Sequence, residues 1–276
     1  MDNIPDLLFL TWNRKEYAQR TLTTLLENTE DFRLYCWDNG SKDGTAEFVA
    51  SLKDDRIVER FSCPVNVRQA YPTQWLLEKS QSSLIGKVDD DTLLPHGWIS
   101  RLSEAVLEIP QSGMIGCWTF WPEDYERNKE FADKNIISFG QHKILQSCTP
   151  GGTAFLMRKD IAEQYYDSKT NGNAFPISRV QMTKDGLING WIFPLLWVEH
   201  MDDPRSEHCL MNRSDKLGRH AALTARTRGF QSAAEYQKWI MSDADWHLRN
   251  SVSDQLHDYA WKNSRTYRIL HKLKIT

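Results

Sequence analysis

The sequence has no uninterrupted apolar run of about 18 residues, the length a helix needs to cross a bilayer. Its opening stretch, MDNIPDLLFLTWNRKEY, has no basic segment followed by a long apolar one. A cytoplasmic chain is therefore expected rather than an exported or membrane-spanning one. It also lacks any C-x-x-C pair. The five cysteines, Cys36, Cys63, Cys117, Cys148 and Cys209, stand apart, mostly within apolar stretches, which excludes a zinc ribbon or a disulfide frame and predicts reduced, buried thiols. A strong excess of one charge is missing too. A formal net charge of −3 over 276 residues leaves no overall electrostatic footprint for nucleic acid, so no nucleic-acid partner is expected. There is no repeat and no low-complexity run, while 40% hydrophobic and 26% charged residues suit a globular chain with a sizeable core.

What is present is alternation. DLLFLTW (6–12) is a short apolar run, and KEYAQRTLTTLLEN places Tyr17, Thr21, Leu22, Leu25 and Leu26 at helical spacing. RLYCWD (33–38) is the next predicted strand, followed by a helix over 44–52, a strand over 57–61, a helix over 69–79, the strand SLIGKVD, the helix GWISRLSEAVLE and the strand GMIGCWTF. Strands separated by single helices imply right-handed crossovers and a mostly parallel α/β sheet flanked by helices. In such a sheet, ligands bind beyond the carboxyl ends of the strands.

That edge is polar here. It carries Thr11, Trp12, Asn13 and Arg14 after the first strand, Asp38 in DNGSKDGT after the second, and Asp89, Asp90 and Asp91 after the fourth. The first turn, TWNRKEY, contains no glycine, so the G-x-G-x-x-G cradle of a dinucleotide site is absent. Carboxylates cannot bind a diphosphate directly, but they can do so through Mg²⁺ or Mn²⁺, which bridge carboxylate and phosphate oxygens. In an extended chain Lys87, Asp89 and Asp91 share one face and Asp90 takes the other. The competing reading is a solvated loop in which Asp91 or Thr92 caps the next helix.

Taken together, LLFLTWNR, LYCWDNGSKDGT and GKVDDDTLLPHGW resemble the nucleotide-sugar-binding half of family 2 glycosyltransferases with the GT-A fold, over roughly residues 5–120. The resemblance implies a GT-A domain over 1–204, with a nucleotide-sugar half (1–120) and an acceptor half (121–204), followed by a helical C-terminal extension (205–276). Asp38 looks like the carboxylate that accepts the N–H of the donor base, typically uracil, with Thr11, Trp12, Asn13 and Arg14 lining the same pocket. Asp89 resembles the DxD residue that contacts ribose or sugar hydroxyls, beside Lys87 and Asp90, and Asp91 the one that holds Mn²⁺ or Mg²⁺. Arg68, in NVRQAYP, falls where the family places a further nucleotide contact, although arginine breaks its usual N-x-G pattern.

In the second half, TPGGTAFLMRKD resembles the segment beneath the donor sugar, and Gly151 and Gly152 would let backbone approach a ligand closely. MTKDGLINGW resembles the family's Glu-Asp helix start, with Lys184 in the glutamate's place and Asp185 as general base of an inverting transfer. IFPLLWVEHMDDP (192–204) reads as an apolar strand, and the resemblance implies that His200, at its end, completes the metal site. Trp121, beside PEDYERN, is the candidate acceptor-stacking residue. The implied partners are a nucleotide-diphosphate sugar, with UDP-sugars favoured, and a carbohydrate or glycoconjugate acceptor. A nucleotidyltransferase would need a glycine-rich first loop, which is missing, whereas a non-catalytic binding protein on the same scaffold stays open because of Lys184. The basic end, Arg265, Arg268, His271, Lys272 and Lys274, suits either a solvated helix end or peripheral contact with the inner face of an anionic membrane.

Overall fold

The computed structural model describes residues 2–28, 30–168, 176–213, 228–264 and 266–267. In chain order the sheet half comprises β1 (Asp6–Thr11), α1 (Lys15–Glu27), β2 (Arg33–Asp38), α2 (Thr45–Ser51), β3 (Ile57–Ser62), α3 (Ala70–Lys79), β4 (Leu84–Asp89), β5 (Thr92–Leu93), α4 (Trp98–Glu108) and β6 (Ser112–Gly116). There follow α5 (Pro122–Ala132), β7 (Ile136–Phe139), β8 (His142–Gln146), β9 (Ala154–Arg158), α6 (Lys159–Tyr165), α7 (Arg179–Lys184), β10 (Ile188–Phe193), β11 (Glu199–His200), α8 (Ala233–Arg249) and α9 (Val252–Lys262).

Nine strands form one sheet in the order β3-β2-β1-β4-β9-β6-β10-β8-β7, in which β8 and β9 run against the others. The mostly parallel α/β sheet expected from the alternation is therefore present. Its central strands are buried on both faces, which is why DLLFLT and LIGKVD read as continuous apolar runs. β3 lies at the edge, and its IVERFS alternates and is largely solvent-facing.

Alternation along β1 feeds two apolar layers. Leu7 and Phe9 pack with Leu22 and Leu25 of α1 and Trp98, Leu102 and Val106 of α4. Leu8 and Leu10 pack on the other face with Leu76 and Leu77 of α3, Ile161 of α6 and Met182 of α7. A third cluster joins Trp118, Phe120, Leu145 and Trp191 to Tyr236, Ile240, Ala244 and Leu248 of α8. Burying a large apolar side chain contributes roughly 1.5–3 kcal/mol, so α8 is a packed layer of the molecule rather than a loose appendage.

The expected strand over 192–204 differs from what forms. β10 ends at Phe193, where Pro194 has no N–H to continue a ladder. The chain then crosses beside Trp118, whose amide donates to the Leu196 carbonyl at 2.7 Å, and re-enters an extended pairing only at Glu199–His200. Among the described residues no helix is long and apolar enough to cross a membrane. The basic cluster Arg265, Arg268, His271, Lys272 and Lys274 lies outside the described residues, save for the sequence itself.

Strand β10 also shows how closely the sheet is packed. A Cβ on Gly190 would stand 2.3 Å from the Leu145 carbonyl oxygen and 2.7 Å from Ile144 Cγ2 on β8. Gly190→Ala should therefore destabilise the protein by about 1–3 kcal/mol, read as a lower urea midpoint. An unchanged midpoint would show that β8 and β10 do not approach so closely.

Candidate active site

The carboxyl ends of three strands lie level with one another. Thr11 pairs with Asp38 across β1 and β2, and Leu10 pairs with Asp89 across β1 and β4. Beyond β1 the chain turns through Asn13 and Arg14, both left-handed at φ 54 and φ 64. Such conformations are disfavoured for non-glycine residues and persist where surrounding contacts hold them. Here the Asn13 amide donates to Ser41 Oγ at 2.7 Å and its Oδ1 accepts from the Lys42 amide at 2.9 Å.

The turn delivers the Arg14 guanidinium into a buried group of carboxylates. It bonds to Asp90, to Asp91 Oδ2 at 3.0 Å and to Asp202 Oδ2 at 3.4 Å, with the Tyr17 ring 5.4 Å from its centre. The three consecutive aspartates then serve different ends. Asp89 accepts from Lys87 Nζ at 2.5 Å. Asp90, in the turn after β4, points inward and accepts from Thr11 Oγ1 at 2.9 Å and the Trp12 amide at 3.3 Å. Asp91 shares Oδ2 between Arg14 and His200 Nε2, the latter at 3.5 Å, while its buried Oδ1 has no hydrogen-bond partner.

The short β5–β11 pairing explains how His200 arrives. Thr92 stands opposite His200 and Leu93 opposite Glu199, and the Met201 amide donates to the Asp91 carbonyl at 2.8 Å. The electrostatics follow from burial and neighbours. Burial pushes Asp90 up to about 7 against the pull of Arg14. Burial acts on Asp91 in the same sense, but Arg14 and His200 outweigh it and hold that carboxyl below its ordinary value. Burial opposes the charged form of His200, yet Asp91 raises it to about 9.

Asp38 is prepared differently. Its Oδ2 accepts from the Gly40 amide, the Ser41 amide and Ser62 Oγ, each at 3.1 Å, whereas its buried Oδ1 is unpartnered.

A cleft of about 500 Å³ opens from this edge. Arg14, Gln69, Asp89, Asp91 and His200 line one side, Thr149, Gly151, Gly152 and Thr153 another, and Arg179 with Tyr236, Trp239, Asp243 and His247 of α8 the far wall. The structure thus brings together Arg14, Asp89, Asp91, His200, Gly151 and Gly152 among the residues the sequence singles out. Lys87 is buried behind Asp89, and Asp90, Thr11 and Trp12 form the support beneath. Asn13 braces the turn, and Arg68, at φ 64, is tied through its carbonyl to Asn39 Nδ2 at 3.0 Å.

Asp38 lies outside the cleft lining, and Trp121 and Asp185 belong neither to the lining nor to its support. Trp121 caps α5, its ring packed 5.5 Å from Trp197 and 5.6 Å from the Arg205 guanidinium. Asp185 lies at the end of α7 rather than at a helix start, exposed, accepting from Tyr165 Oη at 2.8 Å and Gln181 Nε2 at 2.7 Å. The helix stops there because Gly186 takes φ 89. Sequence reasoning missed the far wall. Tyr236, Ile240, Asp243 and His247 recur every three or four residues on one face of α8, and a polar Asp and His within that otherwise apolar stripe were the available signal.

Among the described residues no three His, Cys, Asp or Glu side chains form a ready cage for a metal. The free Asp91 Oδ1 beside His200 fits a divalent cation that takes its other ligands from water or an anionic ligand, the usual habit of Mg²⁺.

The model for glycosyl transferase family 2 matches residues 7–166 of the chain. No curated protein sequence matches it. Among solved structures, the mannosyltransferase PcManGT from Pyrobaculum calidifontis, in complex with GDP-Man and Mn²⁺, is similar at 13% identity and a TM-score of 0.54, covering 99% of this chain and 86% of that one. S. aureus TarS 1-349 is similar at 11% identity and a TM-score of 0.52, covering 83% of this chain and 72% of that one. The same protein in complex with UDP is similar at 12% identity and a TM-score of 0.51.

The far wall makes its own titration prediction. His247 Nδ1 lies 2.8 Å from Ser147 Oγ, and burial, with Arg179 nearby, pushes its pKa down to about 3. Unfolding restores an ordinary value of about 6.5, so as pH falls from there the unfolded chain takes up a proton that the folded one refuses. The stability that neutral His247 contributes is complete above about pH 6.5 and falls by at most about 1.4 kcal/mol per pH unit toward the folded value. His247→Gln should flatten the fall in melting temperature on acidification. Parallel curves for the two proteins would contradict this.

Proposed function

The chain belongs to glycosyl transferase family 2, and we propose that its cleft takes a nucleoside-diphosphate sugar, with UDP-sugars favoured, and transfers the sugar with inversion to a hydroxyl of a carbohydrate or glycoconjugate. The observation that carries this reading is the meeting of Asp91 and His200 at the cleft, with the Asp91 Oδ1 free. The Mn²⁺ and GDP-Man bound by the mannosyltransferase, and the UDP bound by TarS, support a nucleotide-sugar donor held with a divalent cation.

Asp91 and His200 would hold Mn²⁺ or Mg²⁺, which supplies Lewis-acid stabilisation of the departing diphosphate when bound. The chain's own groups do the positioning. The free Asp38 Oδ1 accepts an N–H from the base, and its Oδ2 is fixed by the Gly40 and Ser41 amides and Ser62 so that the carboxylate cannot turn away. Asp89, steadied by Lys87, accepts hydroxyls of the ribose or the sugar. Arg14 holds Asp91 by one oxygen, which leaves the other, buried Oδ1 without a partner. The acceptor must approach from the side of the anomeric carbon opposite the diphosphate, and α8 supplies Tyr236, Trp239, Asp243 and His247 to the cleft that Asp89 and Asp91 line.

A ligand that binds only the folded state raises the melting temperature, by the equivalent of about 2.7 kcal/mol at a hundredfold excess over Kd. One class among UDP-, GDP- and dTDP-sugars should give such a rise with Mn²⁺ and lose it with EDTA, and Asp91→Asn should abolish it. No rise with any donor, or an equal rise in EDTA, would overturn the reading.

A further inference from the structure

An inverting transfer needs a carboxylate on the acceptor side of the cleft with a lone pair to spare. The cleft is lined by three carboxylates, Asp89, Asp91 and Asp243. Lys87 holds Asp89 by Oδ1 at the donor edge, and Asp91, held by Arg14 and His200 through Oδ2, keeps its free Oδ1 for the cation of the donor proposed above. Asp243 has no hydrogen bond and no ion pair with any of the described residues, and it stands on the α8 wall, one turn beyond Trp239. Asp185, at the end of α7, is exposed, engaged by Tyr165 and Gln181, and absent from the cleft lining.

Resting on the transfer reading above, we propose that Asp243 is the general base, accepting the proton of the acceptor hydroxyl as that oxygen attacks the anomeric carbon. The acceptor oxygen forms its bond to the anomeric carbon with the electron pair freed from its O–H. The bond from that carbon to the diphosphate oxygen breaks with its pair, which leaves on the nucleoside diphosphate. Asp243 ends the step as the neutral acid and returns its proton to water at the mouth of the cleft. The environment suits the task, because burial raises this carboxyl above its ordinary value while Arg228 and Lys262 restrain the rise. A base held very low would be a poor proton acceptor near neutral pH. Trp239 on the same wall is stacked on Tyr236, with the Arg228 guanidinium 4.0 Å from its ring centre, which ties Arg228 to the wall that carries Asp243.

The test compares the parent with Asp243→Asn and Asp185→Asn, following release of nucleoside diphosphate from UDP- and GDP-sugars with Mn²⁺, in water alone and with simple sugars as acceptors. Asp243→Asn should lower turnover by at least about a hundredfold while keeping the metal-dependent rise in melting temperature, and Asp185→Asn should stay within about threefold of the parent. Asp243→Ala should recover part of its loss when formate is added, a response that a purely structural role does not give and that also serves if the asparagine variant fails to fold. Turnover by Asp243→Asn within about threefold of the parent, or a loss carried by Asp185→Asn instead, overturns this inference alone. A parent that neither binds nor cleaves any donor overturns the transfer reading and this inference together.

Discussion

The site depends on one buried cation. Arg14 stands among Asp90, Asp91 and Asp202, three carboxylates that would repel one another without it. Removing one partner from such a buried group typically costs about 3–5 kcal/mol, because the remaining charges are left uncompensated. The interaction reaches across the chain: it joins the turn after β1, the aspartate run after β4 and the segment after β11. Tyr17 fastens the same region, donating to the Met201 carbonyl at 3.0 Å and accepting from the Leu210 amide at 2.8 Å. The left-handed backbone at Asn13 and Arg14 is a condition for the guanidinium to arrive there.

From that constraint the division of labour among the aspartates follows. The turn after β4 sends Asp90 inward to Thr11 and Trp12 and leaves Asp89 and Asp91 on the cleft. Lys87, on the face shared with Asp89, steadies it. Arg14 and His200 occupy one oxygen of Asp91 and leave the other free. A run of like charges becomes tolerable because Lys87 meets Asp89, Arg14 serves Asp90 and Asp91 together, and His200 adds to Asp91, whose buried Oδ1 keeps no hydrogen-bond partner. The far wall then comes from α8, which is docked on the aromatic cluster around Trp118 and Trp191.

The first half of the chain was legible because its signals are local. Apolar runs of strand length, helical spacing in KEYAQRTLTTLLEN and polar residues at successive strand ends predict the parallel sheet and its ligand-binding edge without knowledge of any distant contact. The second half depends on contacts that no local pattern carries. Pro194 divides what reads as one strand over 192–204, and His200 reaches Asp91 only through a two-residue pairing with β5. Asp185 reads as a helix-start acid only through the resemblance of MTKDGLINGW to a Glu-Asp motif, yet Gly186 makes that position a helix end. Asp243 and His247 lie in an amphipathic helix whose partner surface is assembled from Phe120, Leu145 and Trp191, far away in sequence. The wall of the cleft was visible as a helix but not as a wall.

The central claim is that Asp91 and His200 together form the cation site of the donor complex. Crystals grown with Mn²⁺ and a nucleoside diphosphate, measured for the anomalous scattering of manganese, test it most directly. The account predicts one peak bonded to Asp91 Oδ1 and His200 Nε2 and to diphosphate oxygens, at about 2.0–2.3 Å. A manganese peak away from these two side chains, or a diphosphate bound in the cleft with no metal beside Asp91, would contradict it.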